Sequence, residues 1–139
     1  MFRHILVPTD FAENSKKALD IAVKLKGEKA DSITVLHVIE TLEDAEYDEF
    51  EDFYEELRKR SQKKLDAMVK AYRDQKVHLS TQIVYGKRAP EIVRFAEENQ
   101  VELIVIGSHS IDRNQLPQNW GTISYKVGIL ANCPVLMVK

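Results

Sequence analysis

Short apolar runs rich in β-branched residues, separated by stretches of helical spacing, constrain this chain more than any other feature. Ile5-Leu6-Val7, Ile33 to Ile39, Val101 to Ile106 and Val135-Leu136-Met137-Val138 read as buried strands. Val77 to Tyr85 alternates instead: Val77, Leu79, Thr81, Ile83 and Tyr85 share one face, and His78, Ser80 and Gln82 the other. That pattern predicts a strand less completely covered, at a sheet edge. Helical stripes fill the gaps. Asn14 to Lys26 carries Ala18, Ala22 and Leu25, widened by Leu19 and Ile21. Asp48 to Arg73 carries Phe50, Phe53, Leu57, Leu65, Met68 and Tyr72, with Ser61 at the missing step. Pro90 suits the first turn of a helix bearing Ile92, Val93 and Ala96, and a last helix over Thr122 to Leu130 turns Ile123, Val127 and Leu130 inward. Strict alternation of the two element types predicts an α/β domain with a mostly parallel sheet, helices on both faces and right-handed crossovers.

At 139 residues the chain makes one domain, residues 1–139, with no internal repeat. A domain of that length buries about 68–70% of its unfolded surface and needs no disulfide or metal staple. Cys133, the one cysteine, excludes a disulfide framework and a cysteine-built zinc site. A net charge of -2 gives no global basic field for nucleic acid. No apolar run reaches the ~18 residues of a membrane helix. Met1-Phe2-Arg3-His4-Ile5 leads straight into the first strand without a signal-peptide pattern, so a cytoplasmic location is expected. The least ordered stretch is expected at Thr41 to Tyr47.

Charge is uneven. Glu40 to Glu56 is acidic with no Lys or Arg, and Arg58, Lys59, Arg60, Lys63, Lys64, Lys70 and Arg73 follow. Acids early and bases late in a long helix complement its dipole. The alternative is an acidic docking surface for a basic protein partner.

In open parallel sheets ligands bind beyond the carboxyl ends of the strands, where strand order reverses. The segments to search are Val7-Pro8-Thr9-Asp10, His37-Val38-Ile39-Glu40, Ile106-Gly107-Ser108-His109-Ser110 and Trp120-Gly121-Thr122-Ile123-Ser124. Gly107 and Gly121 fit a phosphate site, since glycine lets backbone N–H groups approach and a helix N-terminus favours anions. They equally fit ordinary turns. Neither a GxxxxGK[ST] loop nor a GxGxxG fingerprint is present, which disfavours a Walker-type ATPase and a typical NAD enzyme. Asp10 reads either as a polar anchor for a ligand or as a turn and cap residue. His109 stands at the presumed mouth without a Ser/Asp arrangement that would make it catalytic. His37 reads as a satisfied core residue, His4 and His78 as strand-flank residues, and Cys133 as a small packed group. The histidines show no metal-ligand spacing.

Arg3-His4-Ile5-Leu6-Val7-Pro8-Thr9-Asp10, Val35-Leu36-His37-Val38, Ile104-Val105-Ile106-Gly107-Ser108-His109 and Cys133-Pro134-Val135-Leu136-Met137-Val138 together resemble the universal stress protein (UspA) family, in order and over the whole chain. The resemblance implies an open five-stranded parallel sheet of order 3-2-1-4-5, the adenine nucleotide alpha hydrolase-like fold. It also implies a homodimer through the last strand and, in one branch, ATP at the switch point. That branch carries G-x2-G-x9-G-[ST]. Here Gly107 matches the first glycine, Ser110 stands at the second, and Gly121-Thr122 match the final pair with ten residues after Ser110 instead of nine. Ser124, Lys126 and Val127 fit the helix that follows in the family, and Tyr125 replaces its usual acid.

The resemblance implies adenine among Pro8, Asp10, Val38 and Ile106, and phosphates on N–H groups around Gly107, Ser108, Ser110, Gly121 and Thr122, with Mg²⁺ as a counterion. Thr9, His109, Ile123 and Ser124 complete the expected nucleotide-binding set. The leading expectation is a cytoplasmic stress-response regulator binding ATP or another adenine nucleotide. A dimeric interaction module without nucleotide is the alternative. A slow ATP hydrolase or self-phosphorylating protein, with Thr122 or Ser124 accepting phosphate, ranks below both. Lys87, Arg88, Arg113 and Lys126 are candidates for an electropositive lining.

Overall fold

The computed structural model describes residues 2–26, 32–41, 50–75, 77–108 and 122–139. Strands β1 (His4–Pro8), β2 (Ser32–Glu40), β3 (Leu79–Gly86), β4 (Leu103–Gly107) and β5 (Val135–Val138) alternate with helices α1 (Glu13–Leu25), α2 (Glu51–Lys70), α3 (Arg88–Glu98) and α4 (Ile123–Leu130), and a 3₁₀ turn over Arg73–Gln75 follows α2. The sheet has five parallel strands in the order β3-β2-β1-β4-β5. Trp120 and most of the expected low-order stretch at Thr41 to Tyr47 lie outside the described residues.

Because successive side chains of a strand point to opposite faces, each central strand feeds both layers. Ile5, Val7, Ile33, Val35, Leu103 and Val105 pack with Ala18, Leu19 and Ala22 of α1 and Leu65 of α2. Leu6, Leu36, Val38, Ile104 and Ile106 pack with Ala89, Ile92 and Ala96 of α3 and Val127 of α4. Coverage on both sides is why these strands read as continuous apolar runs. Polar groups also cross the sheet: His4 Nε2 meets Thr34 Oγ1 at 2.9 Å, and Thr34 Oγ1 meets Ser80 Oγ at 3.1 Å, tying β1, β2 and β3.

Edge strand β3 keeps the expected alternation, with Ser80 and Gln82 exposed. At the other edge β5 departs from the buried strand expected. Leu136 and Met137 are exposed and Val138 is buried, because this edge lacks a neighbour among the described residues.

The helix stripes also need correction. In α1, Ala18, Leu19 and Ala22 are buried, but Leu25, at the last residue, is exposed. Phe50, just before α2, and Phe53 within it are exposed, and Tyr54 is buried. Positions 53 and 54 differ by about 100° around a helix. The choice falls to Tyr54 because its ring meets Tyr85 of β3 edge to face, centroids 6.3 Å apart. Ser61 is buried, as its place in the stripe requires. In α4 the inward residues are Ser124 and Val127, and Leu130 is exposed.

Candidate functional site

Strand order reverses between β1 and β4, and the chain ends of β1, β2 and β4 open there into a cleft of about 580 Å³, open mouth included. Its apolar walls are Pro8, Val38 and Ile106, completed by Ile92 and Ile123. Asp10 stands exposed at the rim, and Arg88 at the start of α3 lines the opposite part.

The β1–α1 turn is fixed by its own side chains. Thr9 N–H donates to the Leu36 carbonyl at 2.8 Å, continuing the ladder past the end of β1. The buried Thr9 hydroxyl donates to Ser15 Oγ at 2.8 Å and accepts the Phe11 N–H at 2.9 Å. Ser15 Oγ donates in turn to the Ala12 carbonyl at 2.7 Å. Asp10 Oδ1 accepts the Ala12 N–H at 2.9 Å, an Asx turn that leads into α1. The turn reading of Asp10 therefore holds, while the same residue also faces the cleft.

His37 Nδ1 lies 2.8 Å from the Thr9 carbonyl. A carbonyl only accepts, so Nδ1 carries the hydrogen. Burial holds the His37 pKa below its ordinary value. The Thr9 bond and the Asp10 charge oppose that shift, and the Arg88 and Lys64 charges add to it.

Gly107 lies against the first turn of α1. A Cβ there would meet Asn14 C at 2.6 Å, Asn14 O at 2.8 Å and Ser15 N at 2.8 Å, all backbone. Gly107 thus allows α1 to begin against the end of β4, a packing role that neither the turn nor the phosphate reading anticipated. Asn14 Nδ2 donates to the Ser108 carbonyl at 2.9 Å and closes the same junction. Ser124 Oγ donates to Ser108 Oγ at 2.9 Å, with both residues buried, so these hydroxyls bind each other and pin the start of α4 to the end of β4. Thr122, the N-cap position of α4, has a buried Oγ1 with no hydrogen-bond partner among the described residues.

Of the residues singled out in the sequence, Pro8, Thr9, Asp10, Val38, Ile106, Gly107 and Ile123 line one cleft. Ser108 and Ser124 are buried and bonded to each other, and Thr122 stands at the N-cap position of α4 without a side-chain cap bond. His109, Ser110 and Gly121 lie outside the described residues, as do Arg113 and the Pro117 region. Asn14, Ser15, Leu36 and Ile92 line the cleft without having been singled out. Leu36 carried a signal, since its alternation with Val38 puts both on one face of β2. Asn14 carried none, because its place depends on the approach of α1 to β4. Arg88 lies 3.6 Å from Glu40 Oε1 through Nε, with both side chains substantially exposed. Such a surface pair contributes little and yields readily to another anion. Cys133 is a free thiol whose pKa burial raises, which suits its packed role. Among the described residues no group of three or more His, Cys, Asp or Glu is placed to hold a metal, and no helix is long and apolar enough to cross a membrane.

This geometry has close counterparts. The model of the universal stress protein family matches residues 1–139. Universal stress protein YxiE of Bacillus subtilis is 33% identical over 149 residues, covering 100% of both chains. Universal stress protein MJ0577 of Methanocaldococcus jannaschii is 31% identical over 100% of this chain and 96% of that one, and its solved structure superposes with a TM-score of 0.83. A family protein from Arabidopsis thaliana, solved with AMP bound, is 19% identical over 98% of this chain and 90% of its own, with a TM-score of 0.68 that shows likeness of fold. The chain belongs to the universal stress protein family.

Proposed function

We propose that this protein is a cytoplasmic, nucleotide-responsive regulator that binds an adenine nucleotide, ATP or AMP, in the cleft at the strand switch point. The observation that carries the reading is the cleft itself: apolar Pro8, Val38 and Ile106 lie beside a rim carboxylate at Asp10, at the place where open α/β sheets take ligands. Apolar walls suit a purine ring, and the Asp10 carboxylate suits a ribose hydroxyl. The phosphates would then extend toward the N-terminal end of α4, where the buried Thr122 Oγ1 is a hydroxyl able to donate. Arg88 would lend positive charge at the cleft wall, and Mg²⁺ would enter with the phosphates as their counterion. His109, Ser110 and Gly121 belong to the phosphate side of this proposal through the family motif. The AMP bound by the Arabidopsis relative is consistent with it.

The regulator is a homodimer joined through β5 in this reading. Leu136 and Met137 on that edge and Ile129 and Leu130 on the adjoining α4 leave apolar surface uncovered. A phosphate acceptor at Ser124 gains no support, since that hydroxyl is buried and bonded to Ser108.

Calorimetry with ATP, AMP, cyclic AMP and adenosine tests the reading. Wild type should bind at least one of them, and Ile123→Trp, which places a larger side chain on the cleft wall, should abolish the heat while keeping the native circular dichroism. No heat from wild type with any of the four would overturn nucleotide binding and leave the dimeric interaction module.

A further inference from the structure

The β1–α1 turn has two sides. Asp10 and Ala12 line the cleft on the α3/α4 side of the sheet, whereas Phe11 packs into the core on the α1/α2 side. Between them the backbone is twisted: Phe11 has φ 69, a left-handed conformation that a bulky side chain rarely adopts. Such a residue persists where its surroundings over-determine it. Here the Phe11 N–H is held by Thr9 Oγ1 at 2.9 Å, and its ring lies against the His37 ring with centroids 4.5 Å apart. Lys64 Nζ of α2 stands 5.4 Å from the centre of the same ring. His37 also donates Nδ1–H to the Thr9 carbonyl at 2.8 Å.

His37 thus grips the turn at two points flanking Asp10, the Thr9 carbonyl before it and the Phe11 ring after it. It does so from β2, where it shares the α1/α2 face with Ile33 and Val35 and does not line the cleft. We propose that His37 is a positioning residue for ligand binding: acting through Thr9 and Phe11, it holds the strained turn so that the Asp10 carboxylate faces the cleft. The proposal rests on the nucleotide reading for its ligand, although the geometry of the turn stands by itself.

Two substitutions separate the grips. His37→Asn keeps an N–H at the place of Nδ1 and loses the ring, whereas His37→Phe keeps a ring and loses the donor. Adenosine, the ligand part that would meet Asp10, is the calorimetric probe. His37→Phe should bind it about tenfold more weakly and His37→Asn within about threefold of wild type. In an Asp10→Ala background His37→Phe should change affinity less than twofold, since coupled positions are non-additive. A loss of equal size in both backgrounds would mark a merely structural role and overturn the proposal, as would wild-type affinity in His37→Phe.

Amide exchange gives an arm independent of nucleotide. His37→Phe should accelerate exchange at Phe11 and Ala12, whose N–H groups are held by Thr9 Oγ1 and Asp10 Oδ1, at least tenfold while β4 stays protected. If wild type binds no adenosine, the affinity arm uses whichever of ATP, AMP and cyclic AMP it does bind; if it binds none of the four, the functional reading fails while the exchange arm still decides whether His37 holds the turn. Unchanged exchange at Phe11 and Ala12 would overturn the positioning role.

Discussion

Gly107 and Asn14 meet backbone to backbone: a β-carbon on the glycine would stand 2.6 Å from the Asn14 carbonyl carbon. No flexible side chain intervenes to give way, so relief requires α1 to move from β4. Gly107→Ala should therefore destabilise the protein by about 1–3 kcal/mol, the usual cost of overpacking. Urea denaturation checks it. A stability within a few tenths of wild type would show that the junction is slack and return Gly107 to its turn or ligand roles.

Adjacent aromatics on α2 should behave oppositely. Tyr54 is 2% exposed and Phe53 is 53% exposed. Tyr54→Ala removes a buried ring and should cost about 3–5 kcal/mol by analogy with other large aromatic truncations. Phe53→Ser should stay within about 0.5 kcal/mol of wild type. Equal losses, measured side by side by thermal melts, would contradict the orientation of α2.

The β5 edge predicts the oligomeric state. Wild type should be a dimer at micromolar concentration by light scattering, and Leu136→Lys should shift the mass toward monomer by placing a charge in the joined edge. A strictly monomeric wild type would eliminate the β5 interface.

His37 gives stability a pH dependence of known sign. Its folded pKa lies below the ordinary value of 6.5, chiefly through burial, with the Arg88 and Lys64 charges adding to that effect and the Thr9 carbonyl bond and the Asp10 charge opposing it. The unfolded chain then takes up a proton first as pH falls, so this contribution is fully present above about 6.5 and is lost on acidification through the folded pKa. Wild type should lose more stability between pH 7.5 and pH 5 than His37→Asn does. Parallel urea titrations at both pH values compare the two, and identical losses would show that His37 does not titrate differently on folding.

Much of the fold was legible because burial on two faces leaves a simple trace. Ile33 to Ile39 and Val101 to Ile106 are apolar at nearly every step, and the alternation of β3 marked its edge position. Periodicity faltered where adjacent residues competed or where a polar residue faced inward. It could not choose Tyr54 over Phe53 without Tyr85 across the gap, and it overlooked Ser124 because a hydroxyl paired with Ser108 packs where an apolar group was expected. At the cleft, Pro8, Asp10, Val38 and Ile106 followed from strand ends and from the family resemblance. Asn14 and the packing role of Gly107 were hidden, since both depend on how closely α1 approaches β4. His37 was seen as a satisfied core histidine, but its partner is a carbonyl 28 positions away in the turn that carries Asp10.

The cleft draws its walls from positions as distant as Pro8 and Ile123, so anything lodged there bridges the beginning and the end of the chain. It acts as a reversible cross-link, selecting the folded ensemble without any covalent bond. A ligand present at one hundred times its dissociation constant adds about 2.7 kcal/mol to folding stability. The protein's resistance to proteolysis would then rise and fall with the supply of that ligand.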